Sequence, residues 1–519
     1  MNANLEPRPK WIVSVFVALQ ILGFGSANAA PKDVKYVEAL IQQRCSICHQ
    51  VPSPAILPKA SWPPVIQIMA NIAHKRAGRT IISKEEVGDI TAYYYGSSPA
   101  SLPLLPIHKD TKSPITFSTS GLGEQSPMPM VLNIKSVDLF NDGENQFLVC
   151  DGGRNEVQLL QKAGGEWKSE HLVDAPVPVR TEAVDFDGDG DKDVIVAALG
   201  DFPPSEKLAG QVILLRQTKD RKFKKEIILK DVGRVADARA ADLDGDGDLD
   251  VAVAIFGGGA VGEIIWLEHT KDGKYVKHLL LNVSGALNAS PIDLNRDGRV
   301  DLVSLVAQEH EMIVGFINNG GGKFSSVTLA RAPHPMYGST GLTVVDLDKD
   351  GDDDIVFTNG DAHDTQMDPK PYHGVQWLEN KGNLKFGFHN IARFYGAASA
   401  AIGDLDSDGD NDIVVGSWLN YWDDDRRQSL IWFENDGRQN FKRHNILAEP
   451  PGIVSVELKD VAGDKGLDII AGVLRIDMLV GLISEGPEIT AKSIKEKDAL
   501  SPQTLLLENR RKRKNGEIP

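Results

Sequence analysis

The sequence predicts an all-β, seven-bladed β-propeller with metal-binding loops, preceded by a small all-α domain. Three observations carry this prediction. A nine-residue acidic loop recurs seven times, each recurrence brings four short strand-like segments, and helical periodicity is confined to residues ahead of a proline-rich connector. Four short strands repeated at a fixed period of this size make the blade of a propeller. Length alone would suggest about three domains for a chain of this size, but the periodicity overrides that prior.

Composition bounds the function classes. Apolar residues make up 41% and charged residues 25%, with 49 Gly and 28 Pro, which are the values of a folded chain. Acidic residues number 73 against 56 basic ones, a net charge of -17. No nucleic-acid partner is expected, because non-specific binding to a polyanion needs a positive field. Three cysteines cannot build a disulfide scaffold.

Residues 1–29 read as a cleaved secretory signal. Arg8 and Lys10 precede an apolar run over 11–25, and Ala27-Asn28-Ala29 supplies the small residues of a cleavage site. The run is shorter than the roughly 20 residues that span a bilayer. The expected location is therefore outside the cytoplasm, in a bacterial periplasm or the extracellular space, with no transmembrane span after signal removal.

Residues 30–98 carry Cys45-Ser46-Ile47-Cys48-His49, a C-x-x-C-H sequence. Two thiols at this spacing reach the two vinyl groups of one porphyrin, and the adjoining histidine reaches the iron. No second cysteine pair exists to complete a zinc tetrad. Helical spacing over 33–44 leads into the first cysteine, and Ser83-Lys84-Glu85-Glu86 opens a further helix as a capping box, stopped near Gly96. This stretch resembles the class I cytochrome c domain. The resemblance implies one covalent haem on Cys45 and Cys48, with His49 as axial ligand and aromatics such as Tyr93, Tyr94 and Tyr95 packed where the terminal helices cross. For the sixth position Met69, in a short helix after Trp62-Pro63-Pro64, is favoured over His74.

Residues 99–113 are proline-rich and read as a semi-rigid linker, in which His108 is expected to be solvated and idle. Residues 114–500 are assigned to the propeller and residues 501–519 to a basic C-terminal tail containing Arg510-Arg511-Lys512-Arg513-Lys514. Cys150, a lone thiol, is expected to be buried.

Five loops are complete. They run from Asp185 through Asp187, Asp189 and Asp191 to Asp193; from Asp242 through Asp244, Asp246 and Asp248 to Asp250; from Asp293 through Asn295, Asp297 and Arg299 to Asp301; from Asp346 through Asp348, Asp350 and Asp352 to Asp354; and from Asp404 through Asp406, Asp408 and Asp410 to Asp412. Side-chain oxygens at positions 1, 3, 5 and 9, a glycine at 6 and a carbonyl at 7 make a hard-oxygen cage suited to calcium. Degenerate copies start at Asp138, where Phe140 and Gln146 replace ligands, and at Asp460, which keeps Asp464 and Asp468 but has Ala462 at position 3. These repeats resemble the FG-GAP and VCBS family, the calcium-loop propeller of integrin α-subunit heads and some fungal lectins. The resemblance implies about five bound Ca2+, with a sixth at Asp460 undecided.

If the acidic loops join strands one and two, all lie at one rim. The opposite face then gathers Arg180, Arg234, His334, Tyr337, His363, Asp364, His373, Trp418, Tyr421 and Trp422. These are weak candidates for binding an anionic or sugar-like ligand, or a metal through the three histidines. Three functions stay open. The favoured one is electron transfer through the haem, with the propeller docking a redox partner protein. The others are oxidation of a small sugar or alcohol at the propeller face, and calcium-dependent glycan binding or adhesion.

Overall fold

The computed structural model describes residues 33–47, 49–109, 113–202, 205–258, 261–362, 368–475 and 500–510. Three helices come first: α1 (Val34–Cys45), α2 (Trp62–Ala77) and α3 (Lys84–Ser97). Asp33 caps α1 through the amide of Lys35. Ser83 and Glu86 make both bonds of the expected capping box, and α3 runs one residue past Gly96. The helix holding Met69 is longer than expected: Pro63 and Pro64 fall in the first turn of α2, where proline is tolerated, and Gly78 ends it at φ 63°. Arg44 fastens α1 to α3 through Glu86 at 2.7 Å. Trp62 packs on Tyr94 with ring centroids 4.1 Å apart, and the Tyr94 hydroxyl donates to the Pro52 carbonyl. Tyr94 is buried as expected, whereas Tyr95 faces solvent.

Seven four-stranded antiparallel sheets follow. Blade 1 starts at Val131–Val137, blade 2 at Pro178–Val184, blade 3 at Val235–Ala241 and blade 4 at Ser290–Ile292. Blade 5 starts at Ser339–Val345, blade 6 at Ala397–Gly403 and blade 7 at Ile453–Lys459. The first strands of neighbouring blades contact one another, except that blade 5 meets the second strand of blade 4, and blade 7 meets blade 1, so these strands line the axis of a closed ring.

Blade 7 corrects one expected boundary. Its third strand is Ser501–Asn509, in residues assigned above to a tail, and its outermost strand is Phe117–Ser126 from the start of the propeller. The two pair antiparallel from Phe117 against Asn509 to Ser126 against Ser501. The propeller's first and last strands in the chain thus share one sheet, which fastens the ring. Only the residues after Arg510 remain for a tail, and they lie outside the described residues, as does the expected signal.

The core is divided among the seams between blades. Leu148 and Val196 share the seam of blades 1 and 2, Val212 and Val253 that of 2 and 3, and Trp266 and Phe316 that of 3 and 4. Leu305 with Ile355, Val356 with Ile431, Trp432 with Ile469, and Phe147 with Ile470 continue the series around to blade 1. A separate cluster of Met130, Val177, Leu199, Trp418 and Leu474 draws on blades 1, 2, 6 and 7 at the end of the ring away from the acidic loops.

Candidate functional site

Each acidic loop joins strands one and two of its blade, so all seven lie at one rim. Their backbone form is shared. Position 4 has positive φ in every copy: Asn141, Gly188, Gly245, Arg296, Lys349, Ser407 and Gly463. Position 6 does too, and even Lys465 in the last copy takes φ 71°. Glycine suits this left-handed turn, and a side chain there carries a steric cost. The first carboxylate of each turn accepts amides from the far side, as Asp185 does from Asp189 and Gly190 at 3.1 and 3.0 Å.

Four loops gather three carboxylates with oxygens within 4.8 Å of one another: Asp185, Asp187 and Asp189; Asp242, Asp244 and Asp246; Asp346, Asp348 and Asp354; and Asp404, Asp406 and Asp412. The loop from Asp293 differs. Asn295 turns its amide nitrogen toward Asp297, and Arg299 pairs with the same carboxylate. In the last copy the Asp460 carboxylate accepts from Gly463, Asp464 and Lys465, while Asp468 turns to the amides of Val461 and Ala462.

The ninth carboxylate has work that the spacing alone did not reveal. In blade 3, Asp250 is buried and accepts from the amides of Leu243 at 3.0 Å and His269 at 2.9 Å. Asp301, Asp354, Asp412 and Asp468 repeat this pair of bonds, to the second loop residue and to the third strand. Asp193 accepts from Gln217. Burial pushes Asp193, Asp250 and Asp354 up to about 6 and Asp412 to about 7; amide donors pull the other way and neighbouring carboxylates add to the rise. Asp406 also rises to about 6, by burial and then by Asp408 and Glu434.

A belt of cross-blade bonds, also illegible in the repeat, ties the loops together. Position 4 reaches the next blade's turn, as Asn141 does to the Gly190 carbonyl and Arg296 to that of Gly351, both at 2.9 Å. Position 8 reaches the previous one, as Lys192 does to Asp138 and Asn411 to Asp346.

In the helical unit, Cys45 and Met69 both pack against the apolar cluster of Val37, Leu57, Trp62 and Ile90. His74, five residues beyond Met69, is exposed. His49 is partly exposed, and its Nδ1 lies 2.8 Å from the Gln50 carbonyl. A carbonyl only accepts, so Nδ1 carries the proton and Nε2 keeps its lone pair for a metal. Cys48 lies outside the described residues. The unit sits on the propeller face opposite the acidic rim. Arg76 pairs with Glu309 and bonds Ser284 at 3.2 Å, Lys75 pairs with Glu206, and Met336 packs against the helical cluster. Burial lowers the pKa of the His310 imidazole there; Glu309 opposes the shift, while Arg76, Arg331 and His49 add to it.

That same face holds most of the remaining described candidates, and most of them are internal. His334, Tyr337 and His373 are buried, and His334 lies edge-on to Tyr337 and Tyr372 at 5.7 and 4.7 Å. Burial pulls His334 down to about 4. His373 accepts at Nδ1 from the amides of Lys370 and Gly396, the bonding of a core histidine. Trp418 belongs to the axial cluster and donates to the Gly360 carbonyl at 2.8 Å. Tyr421 meets Tyr395 edge-on at 5.2 Å, and burial pushes its phenol up to about 12; Trp422 is half-buried beside it. Arg234 is buried with its guanidinium over Phe256. Arg180 is an axial residue of blade 2, 3.6 Å from the buried Asp237, which also holds Arg239 at 2.9 Å. His363 and Asp364 lie outside the described residues.

Residues 185–253 and 293–357 match the family described as FG-GAP-like repeat. Fold and rim together define a seven-bladed propeller, FG-GAP-like over those two segments, that carries a three-helix unit. No curated sequence matches the chain. Among solved structures, it is similar to a lead-soaked crystal structure of BBS1N in complex with ARL6DN, at 10% identity and TM-score 0.44, over 78% of this chain and 99% of that one. It is also similar to the rhamnogalacturonan lyase YesW, at 16% identity and TM-score 0.39, over 68% and 74%. At these scores the likeness has no functional content. Among the described residues no helix is long and apolar enough to cross a membrane.

Proposed function

We propose that this protein is an exported c-type cytochrome whose calcium-loaded propeller presents the haem unit to a redox partner. The observation behind this reading is the meeting of Cys45 and Met69 on one apolar cluster, with the His49 ring held so that Nε2 is the free nitrogen. Cys45 and Cys48 would hold a haem covalently, and His49 and Met69 would ligate its iron through nitrogen and sulfur. Such a group supplies one-electron transfer when bound. The exposed position of His74 favours Met69 over it. The burial of His334, Tyr337 and His373 favours electron transfer over oxidation of a substrate at this face.

At the rim, the four carboxylate triads would hold Ca2+, with the Asp293 loop as a weaker fifth site. Three carboxylates so close together repel unless a cation joins them. These ions would be structural and would offset much of the acidic charge.

Cys48→Ser tests the central reading. Expressed with a haem-attachment system and denatured, wild-type protein is expected to retain haem covalently, whereas Cys48→Ser should keep one thioether at most and lose stoichiometric attachment. Wild-type protein that releases all its haem on denaturation overturns the proposal.

A further inference from the structure

Among the described residues, one cluster away from the acidic rim joins an imidazole to two carboxylates, on the outer strands of blade 1. Glu156 opens the third strand, Glu156–Ala163, while His171 and Asp174 close the fourth, Glu166–Asp174. One ligand atom from each lies within 4.8 Å of the other two. His171 Nε2 stands 2.9 Å from Asp174 Oδ1 and 3.9 Å from Glu156 Oε2. Ligand atoms around a tetrahedral ion with bonds of about 2.0–2.1 Å are about 3.3 Å apart. The three atoms therefore need little movement to share one ion.

Strand register brings them together. Glu156 pairs with Asp174 and Val157 with Val173, but Gln158 then pairs with His171, which leaves Leu172 as a bulge. Side chains alternate along a regular strand, so residues three apart face opposite ways. The extra residue turns His171 onto the face of Glu156 and Asp174. Blades 2 to 6 have the same bulge but carry Ile227, Leu279, Thr328, Asn390 and Asn445 at the position of His171. The strand ends are also pinned: Asn155 accepts from the Ala175 amide at its carbonyl, at 2.8 Å, and from the Val177 amide at its side chain, at 3.0 Å. The buried Gln158 donates to Glu156 Oε1 at 2.8 Å, which leaves Oε2 as the oxygen nearer His171. Such outer bonds orient a ligand before a metal arrives. Two cations lie near: Arg154, 3.8 Å from Oε1, is paired with Glu124, and Lys225 bonds the Asp174 carbonyl.

One imidazole nitrogen with two carboxylate oxygens suits a first-row dication such as Zn2+, whereas calcium takes six to eight oxygens. His171 and Asp174 are exposed, so a fourth position opens to solvent. We propose that Glu156, His171 and Asp174 bind one Zn2+ ion with water as its fourth ligand, linking the third strand of blade 1 to the fourth. The proposal is independent of the haem and calcium readings.

The test uses the full chain, saturated with calcium in phosphate-free buffer, with Zn2+ alone as the probe. Histidines are carbethoxylated with diethyl pyrocarbonate at increasing Zn2+, and the extent at each is read by mass spectrometry. His171 and His74 are both exposed, so both should react without zinc. A metal on Nε2 leaves the ring no basic nitrogen, so bound zinc blocks the reaction. Zinc should protect His171 saturably, with a midpoint at least about ten-fold below that of His74. Asp174→Asn changes a side chain that is 87% exposed, so the fold should survive it. That variant should raise the His171 midpoint by about ten-fold or more. Protection of His171 and His74 at the same zinc concentration, or an unchanged His171 midpoint in Asp174→Asn, overturns the proposal.

Discussion

Replacing Asp250 separates its structural work from the part proposed for its loop in holding an ion. Asp250→Ala removes both acceptors of the Leu243 and His269 amides, at 3.0 and 2.9 Å, in a site with 1% of its surface exposed. A buried donor left without a partner costs about 1–3 kcal/mol, so two should cost about 2–6 kcal/mol in total. Asp250→Asn keeps one acceptor and should cost about 1–3 kcal/mol by the same rule. Blade 1 shows that an amide is tolerated at this position, because Gln146 accepts from the Leu139 amide at 2.7 Å. The assay is urea unfolding followed by tryptophan fluorescence, in calcium and in excess chelator. The structural part persists in chelator, and any larger loss in calcium measures the ion. An Asp250→Ala protein within about 1 kcal/mol of wild type in chelator would falsify the assignment of this carboxylate as the tie between loop and third strand.

Three further outcomes are expected. A chain stopped after residue 499 loses Leu505, Leu506 and Leu507, all buried and each worth about 1.5–3 kcal/mol, and strips Phe117–Ser126 of its partner; it should be insoluble, whereas a chain stopped after Arg510 should melt like wild type. His334, lowered to about 4 in the fold, takes up a proton on unfolding between that value and about 6.5, so its stabilisation is whole above pH 6.5 and lost as pH falls toward 4. His334→Phe should therefore flatten the fall in unfolding temperature over that range, and an unchanged acid limb would refute the assignment. Cys150 is fully buried and its thiol is pushed up to about 12, so a thiol reagent at pH 8 should label it only after denaturation; labelling of the native chain at that residue would count against its place in the core.

Several sequence expectations reached the structure intact because they depend on local chemistry. The Ser83–Glu86 capping box is a contact within one turn, and the acidic loops are nine-residue units whose left-handed positions are visible as Gly190 or Gly247. The count of seven blades follows from counting those loops, including the degenerate copies at Asp138 and Asp460, which keep the same backbone turn. The helical unit was legible from periodicity over α1 and from the capping box of α3, though α2 ran longer than its prolines suggested.

What escaped the sequence depends on residues far apart in the chain. The strand Ser501–Asn509 sits next to a basic run and has no loop motif, so only its partner Phe117–Ser126, nearly four hundred residues earlier, defines it as a blade strand. Topology pointed to loops opposite the rim, though Arg180 lies in the axial strand Pro178–Val184 instead. Whether the side chains of that face open to solvent was not legible there: His334, Tyr337 and Trp418 turn inward because loops from neighbouring blades pack over them. Glu156, His171 and Asp174 drew no attention as scattered residues, and they meet only because a bulge at Leu172 turns His171 toward the other two. By itself the sequence determined the repeat, its loops and the C-x-x-C-H segment, since turn conformation and covalent spacing are short-range properties. Ring closure, burial of the face and the seat of the helical unit were decided by tertiary structure, because each is a free-energy balance between segments that meet only after the propeller has closed.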